Sequence, residues 1–318
     1  MRRPRLRIGR VLLLAVLAYV VFLIAVPIIS WNKVERVDFT PAGGRPADSP
    51  GTTYLVVGSD RRDDLTPEQQ AELGTGDASG SRTDTIMLLH VPSNGLPPTL
   101  VSIPRDSLLP IPDRGRHKVN SAFSWGGPKL LAETLEDATD LRVDAYVEVG
   151  FGGFAGMVDA VGGVDMCLDE AMKDRRAHID LPAGCQTLDG KNALGYVRAR
   201  YSDPRGDLGR VERQQEFLAA LAGKAMSPGT LVNPVRYAGF GFATGDSIVA
   251  GEDTSIVDMA RFALAMRAVS GGVGQSMTVP LGRVGNSVSW DEEDAGKLFG
   301  ALRNDDPIPP SLLPDSGD

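Results

Sequence analysis

The pattern of apolar and polar positions divides the chain into stretches of unlike character. The first is VLLLAVLAYVVFLIAVPII, an uncharged run from Val11 to Ile29. It has about the length needed to cross a bilayer as a helix. The second, FTPAGGRPADSPG at 39–51, is rich in proline, glycine and small polar residues and reads as a linker. From Thr52 onward short apolar runs interleave with helical spacings until the tail NDDPIPPSLLPDSGD. The expected organisation is a basic N-terminus at 1–10, an anchor at 11–29, a linker at 30–51, one domain at 52–304 and a flexible tail at 305–318.

Within the domain, TYLVVG (53–58), DTIMLLHV (84–91) and TLVSI (99–103) are partly β-branched runs bounded by turn residues, which predicts strands. GPKLLAETLEDATD (127–140) has helical spacing and gives way to a strand, VDAYVEV (143–149). FGGFAGMVDAVGG predicts a helix stopped by glycines. Further helices are expected at 189–200, with Asp189 as N-cap, at 210–226 and at 253–269. A strand in SMTVPL and a helix near 291–303 close the domain. Interleaved strands and helices predict the α/β class with a central mixed sheet.

Charge orients this plan. Arg2, Arg3, Arg5, Arg7 and Arg10 precede the apolar run with no acid among them. Basic flanks stay inside, so the first ten residues are expected in the cytoplasm and the domain across the membrane. The run is long for a cleaved signal peptide, and no A-x-A-like site follows it. The formal net charge of the whole chain is -8, so the part beyond these five arginines is more acidic still, at about -13, which argues against a nucleic-acid partner. Cys167 and Cys185, eighteen apart on the exported side, read as one disulfide. His178 lies between them, but a metal site there would lack a fourth ligand.

An acidic chain nevertheless gathers Arg198, Arg200, Arg205, Arg210 and Arg213 in YVRARYSDPRGDLGRVERQQ. The planar guanidinium fork suits phosphate and carboxylate. Helical spacing puts Arg210 and Gln214 on one face with Arg213 alongside. The competing explanation is a solvated helix face paired with Glu212, Glu216 and Asp207. Elsewhere, Asp60 follows the first strand, Asp84 opens the second, and Arg105 and Asp106 follow the third. An antiparallel meander would bring Asp60, Asp84 and Arg105 to one end of the sheet. Two carboxylates and an arginine suit a divalent ion, magnesium or manganese, with an anionic ligand. Alternatively each aspartate caps a turn or pairs with Arg61 or Arg82. GFGGFA (150–155) approaches a dinucleotide fingerprint, but a tight strand-to-helix turn explains its glycines. There is no phosphate-binding G-x-x-x-x-G-K-[ST] loop and no G-x-S-x-G elbow. His90, His117 and His178 are the only histidines, so a Ser-His-Asp triad has little support.

In order, VVGSD, SRTDTIMLL, VSIPRD, HKVNSAF, VDAYVEVGFGGFAGMVDAVGGVDM and LDGKNALGYVRARYSDPRGDLGRVERQQ resemble the LytR–CpsA–Psr family of cell-wall proteins. The resemblance covers essentially the whole domain. It implies an α/β/α sandwich with a tunnel for a lipid tail. The implied activity is a phosphotransferase moving a glycopolymer from a polyprenyl-pyrophosphate carrier to a muramic acid hydroxyl of peptidoglycan. By the same resemblance Asp60 and Asp84 bind magnesium and Arg105 lies closest to catalysis. Arg82, Lys118, Arg198, Arg200, Arg210 and Gln214 then hold the pyrophosphate. The apolar faces at 127–139, 216–222 and 255–268 are where the tunnel is expected. The insertion between Asp60 and Asp84 departs from the shortest members. An Arg-, Ala-, Asp- and Gly-heavy composition points to a high-GC actinobacterium and hence to arabinogalactan, with teichoic acid and capsule open. A polyprenyl-pyrophosphate hydrolase and a non-catalytic lipid-binding or regulatory protein are the alternatives.

Overall fold

The computed structural model describes residues 5–61, 66–73, 83–199 and 207–313. Its first element is helix α1 (Arg5–Trp31). From Gly9 to Trp31 this helix is long and apolar enough to cross a membrane.

The predicted meander forms the centre of the sheet. Strands β2 (Thr52–Ser59), β3 (Thr83–Val91) and β4 (Thr99–Ser102) pair antiparallel in succession. On one side β7 (Ala145–Val149) joins β2 in parallel. It is followed by antiparallel β12 (Ile248–Gly251) and then by β1 (Glu35–Val37), parallel to β12. On the other side β13 (Gln275–Thr278) lies parallel to β4. The seven-stranded order is β1-β12-β7-β2-β3-β4-β13, and the sheet is mixed. Two-stranded pairs stand outside it: β5 (Leu108–Ile111) with β6 (Gly115–Lys118), β8 (Val164–Leu168) with β11 (Gly184–Leu188), β9 (Met172–Asp174) with β10 (Ile179–Leu181), and β14 (Leu281–Val284) with β15 (Val288–Trp290).

The central strands are almost continuously apolar because both faces are covered. Leu55, Val57, Ile86, Leu88 and Val101 face one way, toward α3 (Val119–Thr139) and α10 (Glu292–Arg303), which contribute Leu131, Leu135, Leu298 and Leu302. Tyr54, Val56, Met87, Leu89 and Leu100 face the other way. They meet Ala265, Met266 and Val269 of α9 (Ile256–Ser270), with Leu218 and Ala222 of α6 (Asp207–Ala225) against them. These layers make an α/β/α sandwich. A further core joins α6 to α4 (Phe151–Ala160), α5 (Gly190–Arg198) and the β8–β11 pair through Val158, Leu188, Tyr196, Phe217 and Leu221. Asp189 caps α5 by accepting from the Asn192 amide. Cys167 and Cys185 are direct cross-strand partners in β8 and β11 and form a disulfide. The remaining helices are α2 (Pro67–Leu73), α7 (Pro228–Leu231) and α8 (Pro234–Ser247).

Four features differ from the sequence expectation. The segment 30–51 belongs to the domain rather than spacing it from the anchor. It supplies β1, buries Phe39 against Tyr146 with ring centroids 5.8 Å apart, and places Arg45 on the buried Glu136 carboxylate at 2.5 Å. Its prolines and glycines mark real loops and conceal a three-residue strand. The tail also packs, with Asp305 and Ile308 buried and Leu312 and Leu313 against the first core. Helix α3 begins well before 127, because Gly126 and Gly127 (φ 62°, ψ -155°) kink it and interrupt its visible period. Helix α8 is unforeseen, since three glycines in PVRYAGFGFATGDS oppose a helix by propensity.

Candidate active site

The meander determines which residues meet. The C-terminal ends of β2 and β4 and the N-terminal start of β3 share one end of the sheet. There Gly58 pairs with Thr85 and Ser59 with Thr83, so β3 carries Asp84 as an extra residue in a bulge. Bulges redirect a side chain from the ordinary pleat. Gly58 permits the close approach, because a Cβ there would lie 2.9 Å from the Thr85 Cβ. The Thr83 hydroxyl lies within hydrogen-bond reach of the Gly58 carbonyl, at 3.1 Å, and braces the bulge.

Arg105 pairs with the redirected Asp84 carboxylate. Its Nε is 3.8 Å from the Asp106 carboxylate, which in turn lies 2.7 Å from Lys118 Nζ. Asp84, Arg105, Asp106 and Lys118 thus form a chain of alternating charge from three elements. The start of α3 holds this chain in place: the Val119 and Asn120 amides donate to the Ser107 and Arg105 carbonyls at 2.8 and 3.2 Å. Arg105 keeps 20% of its side chain exposed, so a ligand can reach it. Asp60 directly follows Ser59, which puts the second carboxylate on the neighbouring strand end. Arg61 beside it donates to Glu35 of β1 at 3.3 Å.

The arginine-rich stretch divides by role. At the end of α5, the Arg198 guanidinium stands 4.7 Å from the ring centroid of Phe151, the first residue of α4 after β7. It also reaches the Leu73 carbonyl at 3.5 Å. Arg210, Arg213 and Gln214 are buried, at 4%, 5% and 6% exposure, which removes the solvated-face explanation. Arg213 donates to the Ala199 carbonyl at 2.5 Å and Gln214 to the Val197 carbonyl at 3.1 Å. These two bonds tie α6 to the end of α5. Gln215, which sequence reasoning passed over, donates to Ser102 Oγ at 2.5 Å and to the Met277 carbonyl at 3.0 Å. It draws the middle of α6 over the ends of β4 and β13. Arg82 and Arg200 lie outside the described residues.

Sequence reasoning also missed Glu148. It is a buried acid in β7, in register with Val57 of β2, and it accepts the Tyr146 hydroxyl at 2.7 Å. Burial, with the charge of Glu148 second, pushes the Tyr146 hydroxyl well above its usual range and keeps it a neutral donor. The available signal was one acid inside an otherwise apolar strand.

Asp60 and Asp84 offer hard oxygen donors, and magnesium takes one or two protein carboxylates with phosphate oxygens or waters completing its shell. Among the described residues no group of three or more His, Cys, Asp or Glu is placed to hold a metal. A two-carboxylate site fits an ion shared with a phosphorylated ligand.

The LytR_cpsA_psr family model matches residues 26–239. The chain is 50% identical over 279 residues to the "Probable cell wall biosynthesis protein LcpB" of Corynebacterium glutamicum, covering 86% of this chain and 66% of that protein. It is 36% identical over 280 residues to the "Cell wall biosynthesis protein LcpA" of the same organism, covering 78% and 53%. The chain thus spans about two thirds and about half the length of these relatives. With the "Polyisoprenyl-teichoic acid--peptidoglycan teichoic acid transferase TagU" of Enterococcus faecalis it shares 31% over 256 residues, 79% of this chain and 78% of the relative. In structure it is similar to a LytR-Csp2A-Psr enzyme from Actinomyces oris, with a TM-score of 0.67 at 21% identity over 85% of this chain and 96% of that one. By family model and relatives, the chain belongs to the LytR–CpsA–Psr family.

Proposed function

We propose that the chain is a phosphotransferase that moves a glycopolymer from a polyprenyl-pyrophosphate carrier to a muramic acid hydroxyl of peptidoglycan. The observation that carries this reading is the end of the meander, where Asp84, Arg105, Asp106 and Lys118 form one charged chain beside Asp60. Cations and carboxylates at one half-exposed site suit a pyrophosphate with a divalent ion. The printed names of the relatives, cell wall biosynthesis and teichoic acid transferase, support the same class. Two Corynebacterium relatives and the high-GC composition favour arabinogalactan as the polymer. Helix α1 serves as a single-pass anchor with its basic N-terminus in the cytoplasm and the domain outside.

In this reaction the acceptor hydroxyl oxygen attacks the sugar-linked phosphorus. A new O–P bond forms, the bond to the bridging oxygen breaks, and polyprenyl phosphate leaves. Phosphoryl transfer depends on positioning and charge neutralisation more than on covalent catalysis by the protein. Arg105 presents its fork to the phosphate oxygens as charge shifts toward the leaving group. The buried Arg210 and the Phe151-supported Arg198 hold the rest of the pyrophosphate. The hydroxyl proton passes to one of Asp60, Asp84 and Asp106. Asp60 and Asp84 would hold a magnesium or manganese ion, which would supply further neutralisation of phosphate charge.

The test uses the full chain in lipid with magnesium, a polyprenyl-pyrophosphate oligosaccharide and oligomeric peptidoglycan. Mass spectrometry should detect a sugar–phosphate–muramyl product that requires both metal and acceptor. Release of polyprenyl phosphate without an acceptor requirement would make the protein a hydrolase. Lipid binding with no turnover would favour a regulatory role, as in the name of the Staphylococcus aureus relative "Regulatory protein MsrR", 37% identical over 171 residues.

A further inference from the structure

Between Ser227 and Gly245 the sequence SPGTLVNPVRYAGFGFATG holds a single charged residue, Arg236, in a chain that is 23% charged. This stretch forms α7 and most of α8, and α8 lies along the C-terminal half of α1. The contacts run in opposite directions along the two helices. Near the domain, a Cβ on Gly245 would lie 2.5 Å from the Ser30 carbonyl oxygen, and one on Gly241 would lie 2.6 Å from Val26 Cγ1. Further along, the Tyr237 hydroxyl donates to the Leu23 carbonyl at 2.7 Å, and the Tyr19 hydroxyl donates to the Leu231 carbonyl at 2.6 Å. Gly241 and Gly245, four apart, thus meet Val26 and Ser30, also four apart. Close approach through small residues is how helices associate inside membranes.

The polar boundary of this pair is marked. Lys33 pairs with Asp246 at 3.0 Å, and Arg36 stacks 4.0 Å from the Trp31 ring centroid, as residues at a membrane surface do. From Trp31 back to Tyr19 is about 18 Å along the helix axis. That is more than half of a hydrocarbon core of about 30 Å. At this depth the α7–α8 junction presents Val232 and Val235, 71% and 78% exposed, with Leu231 beside them. Asn233 and Arg236 are exposed there, but much of the hydrogen-bonding capacity of the junction is met within the chain. The Asn233 side-chain oxygen Oδ1 accepts from the Val235 and Arg236 amides, and the Thr230 hydroxyl donates to the Lys224 carbonyl. Arg236 lays its guanidinium against the backbone at Gly162, just beyond the C-terminus of α4, where a cation is favoured.

We infer that α7 and α8 form a lipid-embedded hairpin that enters the outer leaflet beside the anchor, with Leu231, Val232 and Val235 among the acyl chains. This rests on the reading of α1 as a membrane span. It also sets the height of the catalytic end. Helix α8 runs into Ile248 of β12, which is in register with Val149 of β7, and Val149 is in register with Gly58 of β2. The sheet end that carries Asp60 and Asp84 is therefore the membrane-facing end, level with a lipid-linked pyrophosphate.

The test places single cysteines at Val16, Val232, Val235 and Val273 of the full chain; both native cysteines are held in the disulfide. Each variant is labelled with a fluorophore and reconstituted into liposomes. Val16 lies on α1, and the exposed Val273 lies in the turn before β13, at the opposite end of the sheet. Labels at 16, 232 and 235 should be quenched several-fold more by acyl-chain doxyl lipid than by aqueous iodide, and the label at 273 the reverse. If 16 is quenched by lipid while 232 and 235 behave like 273, the hairpin is outside the bilayer and the inference falls while the anchor stands. If iodide reaches 16, the anchor reading fails and the hairpin falls with it.

Discussion

Arg105 lies between two carboxylates, Asp84 and Asp106, and under the proposed function it is the group that meets the incoming phosphate. Replacing it by lysine keeps the charge and loses the planar fork. Removing a donor of this kind from a transition state costs roughly a hundredfold or more in rate. Arg105→Lys should therefore lower the transfer rate about a hundredfold, with the thermal midpoint nearly unchanged because the pair is only half-buried. Single-turnover transfer and thermal unfolding on the same preparation measure both; wild-type transfer by the variant would remove Arg105 from the chemistry. The meeting of Asp84 with Arg105, next to the strand end that Asp60 follows, was legible in the sequence because strand ends alternate in a meander. Glu148 was not legible as part of this region, since its neighbour Val57 lies on a strand about ninety residues earlier and the pairing is parallel.

At the scale of elements, the legible ones were those with a clean period and a bounded run. The central strands were read from continuous apolar character, and α5, α6, α9 and α10 from helical spacing, with a cap named for α5 alone. What stayed hidden was held by tertiary contact alone. β1 is a strand because β12 pairs with it, and α8 is a helix because α1 packs closely on its Gly241 and Gly245 while Gly153 of α4 admits its Ser247. The β8–β11 pair is secured by its disulfide, and Lys224 of α6 reaches Asp165 of β8 at 2.7 Å. Closing a loop of this size contributes about 3 kcal/mol through the unfolded chain. A Cys167→Ser, Cys185→Ser double variant should lose about that much stability in denaturant unfolding. Limited proteolysis should cut first within 164–188. Transfer well below the unfolding midpoint should persist, because the residues that meet the phosphates lie on other elements. Loss of transfer with the domain still folded would make the β8–β11 pair part of the site.

Across the whole molecule, the sheet has one end for chemistry and another for closure. At the far end from Asp84, His90 is fully buried, with Nε2 2.8 Å from the Asp305 carboxylate and Nδ1 3.0 Å from the Thr53 hydroxyl. The other Asp305 oxygen accepts from the Ser93 amide and hydroxyl at 2.7 and 2.8 Å. The pair ties the segment after α10 to β2 and β3, the strands whose opposite ends carry the site. Burial holds the His90 pKa below its ordinary value, despite the opposing pull of Asp305. Burial works against ionisation of Asp305, but the bonds from His90 and Ser93 outweigh it and leave its pKa lowered as well. In both cases the folded state binds fewer protons than the unfolded chain. Stability from each is therefore complete above the unfolded pKa and is lost as pH falls toward the folded one. For His90 the loss begins near pH 6.5, and for Asp305 only near pH 4. The thermal midpoint should stay level from pH 8 to about 6.5 and decline from there to pH 5. His90→Gln should be less stable throughout and should flatten that decline. A slope unchanged in His90→Gln would assign the acid sensitivity to other groups. A flattened slope would show that the closing end loosens in acid through His90.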